Sequence, residues 1–313
     1  MFEILKETRI PFSRLRYIGF IVSGALVVLV FILLLVNRGP NYGIDFEGGS
    51  KIGLSFSEPL TTEELRSVLA DLGETDIKIF GIHDITTGAV SFQIQVPPKT
   101  ALTDAEEHRS FSQLLIDELE RRHPGLEVTF TGEETVSAAF GKELQWDAIL
   151  ALLLGMALIL IYIWIRIDFR FGVGTVVAVF HDVLITLGII TLLGIRIDIT
   201  VIAAFLTIVG YSVNDSIVIS KRIQELIKTR RGATLTENVD AGINTTISRT
   251  IVTSVTTLFV SVAVVIFASG TAIFPFAMTM TIGIIIGTYS SSFIVAPIVV
   301  ELERVLPSRK RRT

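Results

Sequence analysis

Six stretches of this chain are long and apolar enough to cross a lipid bilayer as helices, and that count limits the fold more than any other feature. A hydrocarbon core of roughly 30 Å takes about 20 apolar residues at 1.5 Å per residue. The windows that qualify lie over 17–36, 147–165, 171–193, 199–219, 250–269 and 273–300. The last is long enough to tilt or protrude. Composition agrees, since half of the 313 residues are hydrophobic and only 19% are charged, the balance of a polytopic membrane protein.

The first apolar run leads into Asn37, Arg38, Gly39 and Pro40 rather than into a small-residue cleavage site. It is therefore expected to stay as an anchor. Cysteine is absent, which excludes disulfides, thiolate metal sites and thiol nucleophiles.

Orientation follows from lysine and arginine in the short connections, because these residues resist translocation. Lys6, Arg9, Arg14 and Arg16 precede the first span, and Arg166 and Arg170 flank the second connection. Lys221, Arg222, Lys228, Arg230 and Arg231 follow the fourth span, and Arg304, Arg309, Lys310, Arg311 and Arg312 follow the sixth. The opposite set of connections holds only Arg196, with no charge from Ala268 to Phe274. Both termini, 1–16 and 301–313, are expected in the cytoplasm, together with a loop over 220–249.

This topology sends the long hydrophilic segment 37–146 to the exterior. Residues 37–145 carry 19 acidic and 9 basic side chains, a net −10, whereas the whole chain carries −4. An acidic exterior domain over a base that is basic on its inner side argues against nucleic acid as a partner. The terminal basic cluster suits anionic lipid headgroups or a ribosome or channel surface, and equally serves as a topology signal alone.

Within the exterior segment the hydrophobic period alternates between that of strands and that of helices. Strands are expected over 51–56, 77–82, 90–96 and 126–130, with a turn at Thr87 and Gly88. One helix starts from the capping signal Thr61, Thr62, Glu63, Glu64 and runs to Leu72; a second opens at Leu102 to Glu106 and stops before Pro124 and Gly125. The order β-α-β-β-α-β is that of an α+β ferredoxin-like sandwich, a fold that hosts many functions and names none.

An ionisable side chain at membrane depth is costly and needs a partner or a wet cavity. His181 and Asp182 in the third span, Asp215 in the fourth and Arg249 at the start of the fifth are such residues. Asp215 and Arg249 enter from the same side of the membrane, so an ion pair across two neighbouring helices is sterically reasonable. Such a pair can couple proton movement to packing, because arginine favours the carboxylate while desolvation opposes it. The plainer alternative is a pair of charges that snorkel to water. For His181 and Asp182 it is an interior hydrogen-bond pair without a transport role. Gly210, Ser212, Asn214 and Ser216, with Ser248, Thr250, Thr253, Ser254, Thr256 and Thr257, give the fourth and fifth spans small and hydroxyl-bearing stripes suited to close helix contacts.

Five blocks in order make a pattern. Gly43, Ile44, Asp45, Phe46, Glu47, Gly48 and Gly49 lie just outside the first span; Ser137 to Leu144 precede the second. Tyr162 to Arg166 lead on to Phe180 to Val183, Gly210 to Ser216 are followed by Arg222 to Glu225, and Ser248 to Ser254 open the fifth span. The chain resembles the SecD/SecF family of the resistance-nodulation-division superfamily. The resemblance implies one six-span half of a two-half transporter, with Asp215 and Arg249 as a proton-pathway pair and Thr253 as an auxiliary. His181, Asp182 and Asn214 are secondary intramembrane sites at most.

The resemblance further implies SecD as partner, the SecYEG channel, SecA and YajC as associates, an unfolded preprotein as client, and the bacterial inner membrane as location. No cofactor, metal or catalytic residue is expected beyond a coupling ion, H+, with Na+ the alternative because a carboxylate serves either. There is no phosphate-binding G-x-x-x-x-G-K-[ST] loop for ATP. A small-molecule exporter of the same superfamily is the alternative. An intramembrane protease lacks its motifs here.

Overall fold

Every apolar window forms a helix, and the helices over the second, fourth and fifth windows run well past them. In the computed structural model, which describes residues 8–58, 60–73, 77–83, 90–96, 105–230 and 232–305, the spans are α1 (Phe12–Val36), α5 (Ala138–Arg166), α6 (Phe169–Leu192), α7 (Ile199–Thr229) and α8 (Leu235–Phe267). The sixth is composite: α9 (Phe274–Ser290), a π-helical turn (Ser291–Val295) and α10 (Ala296–Val305). The chain is a multi-pass membrane protein.

The expected loop over 220–249 is a helical hairpin instead. α7 continues to Thr229 and α8 starts at Leu235, fixed by a capping box in which Thr234 Oγ1 accepts from Glu237 N at 3.2 Å and Thr234 N donates back to Glu237. Hydropathy misses these turns because they are amphipathic: Ile219, Ile223, Val239 and Ile243 are buried in one shared cluster while the outer faces are polar. Gly242 allows the approach, since a Cβ there would run into the Ile223 side chain.

Between α1 and α5 lie α2 (Ile44–Glu47), β1 (Gly49–Phe56), α3 (Thr62–Asp71), β2 (Lys78–His83), β3 (Val90–Val96), α4 (Ala105–Arg122) and β4 (Val128–Val136). The sheet order is β2-β3-β1-β4 and every pair is antiparallel, which is the ferredoxin-like arrangement. The Thr61 capping box is formed, with Thr61 N donating to Glu64 Oε2 at 2.9 Å. Leu65, Val68 and Leu69 of α3 and Leu115 and Leu119 of α4 pack on Ile52, Leu54 and Ile94 in one core. β4 outruns its expected end at Phe130. A register shift opposite Gly53 and Leu54 absorbs Thr131, and pairing resumes to Val136. The Thr87 and Gly88 turn, the opening of the second helix before Ala105, and Lys6, Arg231 and Arg309 to Arg312 lie outside the described residues.

In the helical base, α6 and the sixth span are the most buried elements, whereas α1, α5 and α8 show much of their surface outward. Close approach at the centre relies on Gly174, whose absent Cβ would sit 2.9 Å from Val295 O. At the end of the bundle away from the α/β domain, Ser13 donates to Asp240 through both N and Oγ at 2.7 Å, and Arg16 Nε pairs with Glu301 at 2.7 Å. These bonds fasten α1 to α8 and α10. Arg170 pairs with Glu303 in the same region.

The α/β domain is joined to the base by several bonds. Gly43 N donates to Ile197 O and Ile197 N to Asn41 O, both at 2.6 Å. Gln145 Nε2 on α5 donates to Phe46 O at 3.1 Å. On β2, Gly81 N donates to Gly270 O of the α8–α9 turn at 3.0 Å, and Lys78 Nζ donates to Gly194 O at 3.3 Å.

Candidate functional site

α7 turns two different faces to its surroundings. Ser212, Asp215, Ser216 and Ser220 are buried, while Ala203, Thr207, Gly210 and Asn214 are exposed at helical spacing on another side. A Cβ on Gly210 would meet nothing within 4 Å. Asp215 is 5% exposed, and its Oδ2 has no hydrogen-bond partner.

Arg249 stands on the outward side of α8, beside α7, and is the charge whose field Asp215 feels. Among the described residues the two do not close into an ion pair. The structure thus brings the two expected residues into one neighbourhood but leaves their direct contact open. A buried carboxyl on α7 thus faces the side of α8 from which a guanidinium projects.

Thr253 is half-buried one turn after Arg249, and its hydroxyl is spent on its own helix, donating to Arg249 O at 3.1 Å and Thr250 O at 2.9 Å. Thr256 and Thr257 back-bond in the same way. Such bonds satisfy a hydroxyl inside an apolar medium without reaching a neighbouring helix. Asn214, beside Asp215 in sequence, points to the exposed side of α7.

His181 and Asp182 belong to a separate cluster. Asp182 is fully buried; its Oδ1 lies 3.0 Å from His181 Nδ1, and its Oδ2 accepts from Ser212 Oγ and Ser290 Oγ, each at 2.7 Å. One carboxylate therefore ties together α6, α7 and α9. His181 Nε2 is buried without a hydrogen-bond partner.

The α9 residues in these contacts were missing from the sequence reading. Ser290 reaches Asp182, and Thr288 donates to Ser254 at 2.8 Å. Tyr211 also donates to Ser254 at 3.2 Å. The run of hydroxyls at Thr279, Thr281, Thr288 and Ser290 to Ser292 was the available signal. The expected stripe on the fifth span is thus divided: Ser254 and Thr250 are buried within the chain's own bundle, and Arg249 and Thr256 face outward.

The motif outside α1 has its own geometry. Gly48 and Gly49 adopt φ of 89° and 130°, open to glycine, and a Cβ on Gly48 would lie 2.9 Å from Ala138 N. Phe46 joins Ile197, Val201 and Phe205 in a core at the end of α7. Asp45, 4% exposed, pairs with Lys51 at 2.7 Å and accepts from Ile199 N at 3.1 Å. No group of three His, Cys, Asp or Glu side chains suited to a metal ion occurs among the described residues.

A six-span helical base with a ferredoxin-like domain inserted after its first span defines a multi-pass membrane protein with an α/β insertion. The chain belongs to the SecD/SecF family. Residues 118–305 match the family described as protein export membrane protein SecD/SecF, C-terminal, and residues 33–59 match the SecD/SecF GG motif. The chain is 37% identical to protein translocase subunit SecF of Rhodothermus marinus, over 99% of this chain and 98% of that one. It is 40% identical to protein translocase subunit SecDF of Thermus thermophilus, over 84% of this chain and 34% of that one. A crystal structure of SecDF, a translocon-associated membrane protein from Thermus, superposes with a TM-score of 0.75 at 36% identity, covering 95% of this chain and 39% of that one. The chain spans about two fifths of the SecDF polypeptide and nearly all of the SecF relative.

Proposed function

We propose that this chain acts in Sec-dependent protein export as the SecF-type half of a two-half transporter, working beside SecD on the SecYEG channel. In this reading the proton-motive force is drawn on at Asp215 and Arg249 to promote later stages of preprotein translocation, after SecA has begun it. YajC is a further associate. The termini lie in the cytoplasm of a bacterial cell and the α/β domain outside its inner membrane, as the lysine and arginine distribution indicates.

One observation carries the coupling. Asp215 is buried with an unbonded carboxylate oxygen, while the nearby arginine stands on an outer face of the bundle. A charge on an outer face of a membrane protein requires a second polar surface to bury it, and the exposed Gly210 and Asn214 beside it suit close helix packing. A second six-span half supplies that surface. The fusion of both halves in the SecDF relative supports SecD as its source.

Reconstitution tests this directly. Vesicles holding the channel, SecA, SecD and this chain are expected to translocate preprotein faster when a proton gradient is imposed, and vesicles lacking SecD are not. Equal stimulation with and without SecD would rule out the two-half arrangement. Gradient-driven efflux of small molecules in place of export would favour the exporter alternative.

A further inference from the structure

We propose that Asp45 is a positioning residue that couples α7 to the α/β domain, by capping the end of the helix that carries Asp215 while anchored on β1. This rests on the proton-relay reading above and assigns a task to the acidic residue of the motif outside α1.

The first turn of a helix leaves N–H groups without partners inside the helix. At α7, Asp198 is the N-cap: its Oδ1 accepts from Val201 N at 3.0 Å and from Thr200 Oγ1 at 2.6 Å. Among the first-turn N–H groups that Asp198 does not take is that of Ile199. It is taken by Asp45 Oδ2, at 3.1 Å, from 154 residues away in the sequence. A carboxylate at this place also meets the positive end of the helix dipole.

The other oxygen of Asp45 faces the domain. Oδ1 pairs with Lys51 Nζ at 2.7 Å, and Lys51 stands on β1, which is bonded on both sides, to β3 at Gln95 and to β4 at Glu134. One buried side chain thus spans from the middle of the sheet to the tip of α7. Lys51 also offsets the crowding of two carboxylates at one helix end. Burial pushes the Asp198 carboxyl up from its ordinary value, and the Asp45 charge adds to this while Lys51 opposes it.

From Ile199 to Asp215 the helix is unbroken, about 24 Å at 1.5 Å per residue. A displacement of α7 at Asp215 is therefore delivered at Asp45. The domain has a second attachment on β2, where Gly81 bonds the α8–α9 turn. α7 and α8 carry Asp215 and Arg249, so relative motion of these two helices moves two of the domain's several supports apart and tilts the sheet.

The test uses the full chain assembled with a cysteine-free SecD in lipid nanodiscs. Spin labels are placed at the exposed positions Glu120→Cys on α4 and Leu158→Cys on α5, and Asp215→Asn serves as a permanently neutral state. In the parent, Asp215→Asn is expected to shift the distance distribution between the labels. In Asp45→Ala the shift is expected to vanish while melting temperature and SecD retention stay near the parent's. Asp45→Asn, which keeps an acceptor for Ile199, retains part of the shift and stands in if the alanine variant fails to assemble. Exchanging the charges as Asp45→Lys with Lys51→Asp restores an ion pair but offers Ile199 no acceptor, so the shift stays absent. A full shift in both Asp45 variants would overturn the strut alone. Recovery in the exchanged variant would assign the role to the ion pair and overturn the cap. No shift in the parent would overturn the relay and the strut together.

Discussion

Thr288 donates its hydroxyl to Ser254 at 2.8 Å on the inner side of α8, whereas Arg249, little more than a turn earlier on the same helix, stands on its outer side. α8 therefore has one polar face closed by this chain and one left open.

Crosslinking separates the two faces. Cysteine introduced at Gly210 is expected to crosslink efficiently to SecD, because that position is open within this chain. Cysteine at Ser254 is expected to yield little, since Thr288 and Tyr211 already occupy its surroundings. Equal crosslinking at both positions would place the partner surface elsewhere.

Substituting Asp215 by asparagine keeps the shape and removes the titration. Export is expected to fall to the level seen without a gradient, with ATP-driven translocation retained. Arg249→Met is expected to behave alike. Thr253→Ala should lose little, as the hydroxyl bonds only carbonyls of its own helix. Translocation rates with and without an imposed gradient measure all three.

Asp182 is expected to matter to stability before activity. Interhelical hydrogen bonds in membranes average about 0.6 kcal/mol each, so losing the two that Asp182 accepts from Ser212 and Ser290 in Asp182→Ala costs about 1 kcal/mol. Asp182→Asn, which keeps an acceptor, costs about half of that. Unfolding in mixed micelles measures both. An alanine variant as stable as the parent would remove the cluster from the list of structural ties.

In the α/β domain, hydrogen bonds from Arg121 and Arg122 hold the Glu118 carboxyl at about 2, below its ordinary 4.5. A lowered folded-state value means that the contribution is complete above the unfolded value and is lost as pH falls through the folded one. The stability advantage of the parent over Glu118→Gln is therefore expected to be constant above pH 4.5 and to fade toward pH 2. Paired pH-dependent melting curves read this difference. Arg122 also bonds Asp71 at 2.6 Å, so part of the loss appears as loosening between α4 and α3.

The spans, the β-α-β-β-α-β order and the Thr61 cap were legible because each is written in local periodicity or in a motif four residues long. Asp215 and Arg249 were legible as charges in apolar windows. Their orientation was not, since a helical period groups Gly210 with Asn214 without naming what the group faces. Ser290, and the reach of Asp45 to Ile199, escaped for a related reason: each acts on a residue more than a hundred positions away. The amphipathic turns at 220–229 and 235–247 escaped because apolar length is blind to helix that leaves the hydrocarbon.

The π-helical turn at Ser291–Val295 sets the angular phase of everything after it. A π turn carries one residue more than an α turn, and one residue of α-helix rotates the chain by about 100°. Glu301 and Glu303 meet Arg16 and Arg170 only at the present phase. Deleting a single residue within Ser291–Val295 therefore closes the π turn to an α turn and leaves both glutamates opposite their arginines, whereas deleting one from the α-helical residues 296–300 twists the rest of α10 by more than a quarter turn and detaches both although neither is altered.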